Sequence, residues 1–308
     1  MSTCDHNCDN CNSSCDKNKS LLAPSPKNSK IKKIIGVISG KGGVGKSMVT
    51  SLLATQFAKE GFKVGILDSD ITGPSIPASF GVTEAIKGNQ DTMFPSESKL
   101  GIKMISINLL LQDPESPVLW RGPVIGGAIK QFYSDTCWGD LDYLFVDMPP
   151  GTGDVALTVF QSIPVDGVII VSTPQDLVKM IVGKAVSMCN QMNIPVIGLV
   201  ENMSYMKCTC CNEKVYPFGP SKLEDVAFHF DILPIQSLPI NPEYAKLVDT
   251  GKIEEIDTNF IEPTVEVVKK FGKLKRDLQT GFTLAPLMCL SYSAIKSVSH
   301  SFSVFPFK

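Results

Sequence analysis

Eight consecutive residues, Gly40-Lys41-Gly42-Gly43-Val44-Gly45-Lys46-Ser47, fit the phosphate-binding pattern G-x-x-x-x-G-K-[ST]. Glycines let backbone N–H groups approach phosphate oxygens closely, the lysine neutralises β- and γ-phosphate charge, and the Ser47 hydroxyl is a natural ligand for Mg²⁺. An apolar strand-like run precedes the loop and a helix-like run follows it, so a positive helix end also converges there. The chemistry expected is binding and hydrolysis of ATP with Mg²⁺. Lys41 is not needed to build such a loop, yet its position allows it to reach phosphates bound to a second subunit.

Three carboxylates follow strand-like runs. Asp68 and Asp70 close KVGILDSD, and Asp147 closes LDYLFVD ahead of Pro149-Pro150-Gly151-Thr152-Gly153. Paired carboxylates beside a phosphate site hold Mg²⁺ through water and orient an attacking water, although an aspartate in such a place also serves as a cap or turn residue. The proline- and glycine-rich segment after Asp147 is expected to act as a switch loop. Asn202, at the end of IPVIGLVEN, carries an amide able to donate and accept at once, as reading an adenine edge requires.

The second group of reactive side chains is thiols. Cys208 and Cys211 form C-x-x-C with Cys210 between them, and Cys4, Cys8, Cys11 and Cys15 form C-x3-C-x2-C-x3-C at the start of the chain. Two thiolates fill half of a four-coordinate site, so the first pair needs partners, and a two-fold axis beside it would supply them. A four-iron four-sulfur cluster bridging a dimer fits, and zinc fits the same ligands. The four N-terminal thiols suffice for one more cluster or a zinc ion without a second subunit. Cys137, Cys189 and Cys289 stand alone and read as small buried hydrophobes.

These groups must be positioned by an α/β fold. Strand-like runs at IKKIIGVIS, KVGILDSD, LDYLFVD, DGVIIVS and IPVIGLVEN alternate with helix-like stretches, which predicts a mostly parallel sheet wrapped by helices, with ligands beyond the carboxyl ends of the strands. Residues 204–219 read as a cysteine-bearing hairpin inserted after the last of these strands. Residues 1–30 read as a flexible cysteine-rich tail, 31–277 as the ATPase domain, and 278–308 as a segment with no assignable role. The 14 residues from Val265 to Leu278 combine apolar residues at helical spacing with five lysines or arginines, as a membrane-surface helix or a helix packed on the body would.

Composition narrows the partners. With 308 residues and 43% hydrophobic content the chain can bury a full core, and a net charge of −2 supplies no global field toward nucleic acid or anionic lipid. The opening residues lack the pattern of a secretory signal, no apolar run is long enough to span a bilayer, and ten cysteines without an export signal argue for metal rather than disulfides. A cytoplasmic protein with no nucleic-acid partner and no stable membrane association is expected.

The segments SGKGGVGKS, LDSDITGPSIP, WRGPVIGGAIKQF, VDMPPGTGD, STPQD and ENMSY, together with the C-x-x-C hairpin, resemble the Mrp/ApbC-type iron-sulfur carriers, close to the cytosolic nucleotide-binding scaffolds. The likeness runs from about Ile34 to Phe271 and extends to the deviant P-loop group of MinD, ParA and the nitrogenase iron protein. It implies a homodimer, or a heterodimer with a related scaffold, that closes over two nucleotides with Lys41 acting in trans. It also implies Asp70 on the attacking water, Asp68 on the metal side, and Cys208 and Cys211 as bridging ligands. The activity implied is slow ATP hydrolysis and delivery of a four-iron four-sulfur cluster to apo-proteins. A positioning ATPase of the MinD/ParA kind with zinc-bound cysteines is the alternative.

Overall fold

The computed structural model describes residues 22–70, 75–89, 91–110, 122–175 and 177–278. In chain order its strands and α-helices are β1 (Lys30–Ile38), α1 (Lys46–Lys59), β2 (Val64–Asp68), α2 (Ile76–Ser79), β3 (Lys87–Gly88), β4 (Met93–Phe94), β5 (Ser96–Glu97), β6 (Lys103–Ile105) and α3 (Gly122–Ser134). Then follow β7 (Asp140–Asp147), α4 (Asp154–Ser162), β8 (Gly167–Ser172), α5 (Val178–Gln191), β9 (Val196–Lys207), β10 (Lys214–Val215), α6 (Leu223–His229), β11 (Pro234–Pro239), α7 (Pro242–Asp249) and α8 (Glu262–Leu278).

Among the described residues the main sheet has the order β10-β9-β8-β1-β7-β2-β6-β5, and β11 pairs with β9. All pairs are parallel except β5 with β6 and β10 with β9. Strands β2 and β8 are buried along their whole length, which is why they read as continuous apolar runs rather than alternating ones. Successive residues of β1 supply opposite faces. Ile34 and Ile38 join the core beneath α3, α4, α5 and α6. Ile35 and Val37 join the core beneath α1, α2 and α8.

Helix α1 ends where Gly61, at φ 86°, turns the chain toward β2, as a glycine at that position permits. Helix α8 buries Val265 and Val268 against the sheet, and Phe271 lies against Gly167. The first part of the basic stretch 265–278 is therefore a helix packed on the body. Among the described residues no helix is long and apolar enough to cross a membrane.

One expectation shifts. Residues 23–30 were assigned to the tail, but the N–H groups of Ala23, Lys27 and Lys30 donate to Ser162 O, Ser134 O and Gly139 O, so this stretch is docked on the body. The hairpin expected over residues 204–219 is formed by the end of β9, which runs on to Lys207 and pairs antiparallel with β10 ahead of α6. Cys4, Cys8, Cys11, Cys15, Arg121 and residues 279–308 lie outside the described residues.

Candidate functional site

The register of the sheet sets the geometry. Asp68 on β2 and Asp147 on β7 are direct partners, and Val37 near the end of β1 is opposite Asp147 on its other side. The loop from Gly40 to Ser47 leaves β1 and enters α1 beside them. Gly43 and Gly45 have φ of 77° and 78°, in the left-handed region that glycine adopts without cost. Helix α1 has no side-chain cap and no acidic residue in its first turn, which leaves its N–H groups and positive end open to an anion. A cleft of about 340 Å³ lies against the loop, bordered by Asp70, Pro150 and, one turn along α1, Ser51. The Ser51 hydroxyl is buried and has no hydrogen-bond partner among the described residues.

Asp147 is fully buried and is held by three donors. Lys46 Nζ donates to Oδ2 at 2.7 Å, Ser47 Oγ to the same oxygen at 2.6 Å, and Thr50 Oγ1 to Oδ1 at 2.7 Å. Asp70 Oδ2 is 3.7 Å from Lys46 Nζ. Asp68, 1% exposed, accepts from Ser106 Oγ at 3.0 Å and from the Asp70 N–H at 3.1 Å. Burial raises the Asp68 pKa to about 8, helped by the neighbouring Asp147 carboxylate and opposed by Lys46. Asp147 and Asp70 thus share one ammonium, and the Ser47 hydroxyl beside them is a hard oxygen donor of the kind Mg²⁺ takes together with waters and phosphate oxygens. The residues fit both a nucleotide and its metal. Thr50 and Ser106 carry no motif and were not singled out by the sequence.

Lys41 Nζ donates to Gln175 Oε1, in the loop after β8. Within a single chain the second lysine is thus held by a side-chain amide beyond the neighbouring strand. Asn202 is 3% exposed, and its Nδ2 donates to Val44 O at 2.9 Å. The amide thus braces the phosphate loop. A Cβ on Gly45 would stand 2.2 Å from that nitrogen, so only glycine fits there. Its neighbour Glu201, 1% exposed, accepts from Ser221 Oγ at 2.5 Å and from the Lys222 N–H at 3.2 and 3.3 Å. No motif marks Glu201 for this role, because its partners lie about 20 residues on, past the hairpin.

The cysteine hairpin is exposed where the nucleotide cleft is buried. The Cys208 N–H donates to Glu213 O, and the Asn212 N–H returns to Cys208 O, both at 2.9 Å. Asn212 takes φ 59°, as asparagine tolerates. The N–H groups of Cys211 and Cys210 point at the Cys208 sulfur and hold its pKa below the usual thiol range. Backbone donors converging on one sulfur favour the thiolate, the form that binds metal. Cys210 and Cys211 are exposed. Among the described residues no group of three or more metal-binding side chains occurs, so this hairpin offers at most its own thiols. Cys189, by contrast, is buried on α5, and burial pushes its pKa up to about 12. Cys137 is half-buried.

Residues 30–277 match the family described as NUBPL iron-transfer P-loop NTPase (ParA). An iron-sulfur cluster carrier protein of Clostridium perfringens is 50% identical over 233 residues, 73% of this chain and 82% of its own length. Another of that name from Methanocaldococcus jannaschii is 44% identical over 281 residues, 88% of this chain and 97% of its own. Among solved structures, a nucleotide-binding protein of Archaeoglobus fulgidus, in complex with ADP and with Co found in it, is similar with a TM-score of 0.66. It is 44% identical, and the match covers 73% of this chain and 88% of that one.

Proposed function

Because the chain belongs to the NUBPL iron-transfer P-loop NTPase family, we propose that it is an ATP-dependent iron-sulfur cluster carrier. It binds nucleotide on the Gly40–Ser47 loop, holds a four-iron four-sulfur cluster as cargo at Cys208 and Cys211, and hands it to apo-proteins in the cytoplasm. The observation that carries the reading is the hairpin knuckle. Two amides hold Cys208 toward its thiolate form in a chain whose phosphate loop is complete, and Cys208 and Cys211 make half of a four-thiolate site. A second copy of the chain, or a related scaffold, supplies the other half.

In this reading Lys46 and the open N–H groups of the loop take up phosphate charge. Ser47 and Asp68 would hold Mg²⁺, which when bound neutralises phosphate charge. Asp70, beside Lys46 at the cleft, orients the attacking water, and Asp147 holds Lys46 and Ser47 in place. Lys41 leaves Gln175 when two subunits close, reaching the partner's nucleotide. Hydrolysis is slow because its role is to time cluster loading and release. The N-terminal thiols Cys4, Cys8, Cys11 and Cys15 carry a second metal centre.

Anaerobic reconstitution with iron and sulfide tests the reading, followed by absorption and electron paramagnetic spectra. Wild type, Cys208→Ala/Cys211→Ala and a form lacking residues 1–21 are compared. Two separable clusters are expected, the hairpin one lost in the double variant and present only in dimers. A protein that stays colourless and takes up only zinc would overturn the carrier reading.

A further inference from the structure

Strand β9 touches both centres. Asn202 donates to Val44 O, and that carbonyl shares its peptide unit with the Gly45 N–H, one of the donors of the phosphate loop. A hydrogen bond on the carbonyl fixes the plane of that N–H and strengthens it as a donor. The adjacent Glu201 reaches the other way, to Ser221 Oγ and the Lys222 N–H, where the chain returns from the hairpin and starts α6. Six residues beyond Asn202, about 20 Å along an extended strand, stands Cys208.

Between them the strand is irregular. Two steps along β11, from Ser237 to Pro239, face four along β9, from Glu201 to Tyr205. Within this bulge Met203 takes φ 57°, and the Ser204 hydroxyl is buried with no hydrogen-bond partner among the described residues. A bulge with a non-glycine residue in the left-handed region is a place where a strand can change its bend, and such positions persist only when neighbours hold them. Here the neighbours are the phosphate loop on one side and the hairpin's return leg on the other.

We propose that Glu201 and Asn202 are positioning residues that form a coupling node, through which occupation of the phosphate loop alters the hairpin bearing Cys208 and Cys211. The proposal rests on the reading of these two sites given above. Phosphate drawn onto the Gly45 N–H pulls on the Val44 carbonyl and on Asn202. The bulge at Met203 takes up the displacement, and Glu201 passes it to Ser221 and Lys222 at the hairpin's base. Neither residue touches the cargo.

Hydrogen exchange of the full chain tests this at the amides of Cys208 and Asn212, without nucleotide and with a non-hydrolysable ATP analogue, alongside nucleotide affinity by titration. In wild type the analogue changes hairpin exchange by about threefold or more. In Glu201→Gln, and in the milder surface change Ser221→Ala, affinity stays within about twofold while the hairpin response disappears. A merely structural role would shift exchange equally with and without nucleotide. Variants that respond like wild type, or a wild-type hairpin that ignores bound analogue, would overturn the node and leave the nucleotide site intact. Failure of wild type to bind the analogue would overturn the underlying reading and the node with it.

Discussion

The nucleotide cleft and the cysteine hairpin stand at opposite extremes of completeness. At the cleft every charged group has a partner within the chain, and Asp147 alone receives three donors. At the hairpin Cys208 is half-buried, Cys210 and Cys211 are exposed, and among the described residues the thiols are too few for a metal site. Buried charges must be paired at once because an unpaired one is costly in low dielectric. Exposed thiols carry no such demand and can wait for a partner. In the proposed function one centre is ready within the chain and the other is completed by assembly.

The sharpest way to break that comparison is to remove the ammonium at its centre. In Lys46→Ala nucleotide binding is lost by calorimetric titration, and stability falls by about 3 kcal/mol or more, since Asp147 keeps its burial and loses its cation. That corresponds to roughly 2–4 °C in Tm per kcal/mol for a chain of this size. Iron loading at the hairpin without nucleotide stays at the wild-type level. If loading fell together with nucleotide binding, the two centres would not be separable.

Thiol chemistry sharpens the contrast at the hairpin end. Cys208 is held below the ordinary thiol range, while burial lifts Cys189 to about 12. Brief iodoacetamide treatment of the reduced, metal-free chain at pH 8, read by peptide mass spectrometry, should label Cys208 ahead of Cys189 by roughly a thousandfold or more. Comparable rates would mean that α5 opens far more readily than its packing implies.

A smaller effect comes from Asp68. Its folded pKa is raised to about 8 from 3.8, so between those values the folded chain keeps a proton that the unfolded chain has lost. The contribution to stability is greatest at acid pH, declines as pH rises toward 8 and is flat above it. The metal-free, nucleotide-free protein should therefore melt about 5–10 °C lower at pH 8.5 than at pH 6 on this account, from nearly two pKa units at roughly 1.4 kcal/mol each and roughly 2–4 °C per kcal/mol. In Asp68→Asn that part of the slope is absent. An unchanged slope in the variant would place the titration elsewhere.

Much of the cleft was legible because its chemistry is local in sequence. The glycines, Lys46 and Ser47 fall within eight residues, and Asp68 and Asp147 end apolar runs that could only be buried parallel strands. What escaped depends on pairings across long separations. Glu201 acquires its role from Ser221 and Lys222 after the hairpin returns, and Gln175 from a lysine on another loop. The residue type of Asn202 gives an amide that can donate and accept, but its bond to Val44 O spans 158 residues and follows from where β9 places it. The two-residue strands β5 and β10 have too few residues to show a period.

The smallest predicted effect separates backbone from side chain within the knuckle. Cys210 acts on Cys208 mainly through its N–H, as Cys211 does, and any residue except proline supplies that donor. Cys210→Ala should keep hairpin iron content and nucleotide binding at the wild-type level. Cys210→Pro, which retains the chain length but deletes the donor, should return the Cys208 thiol toward its ordinary range and weaken cluster binding. Iron analysis and thiol-reactivity profiles of the two variants decide the point. Loss of the cluster in Cys210→Ala would make the third thiol a ligand, and the hairpin would then supply more than the half-site described here.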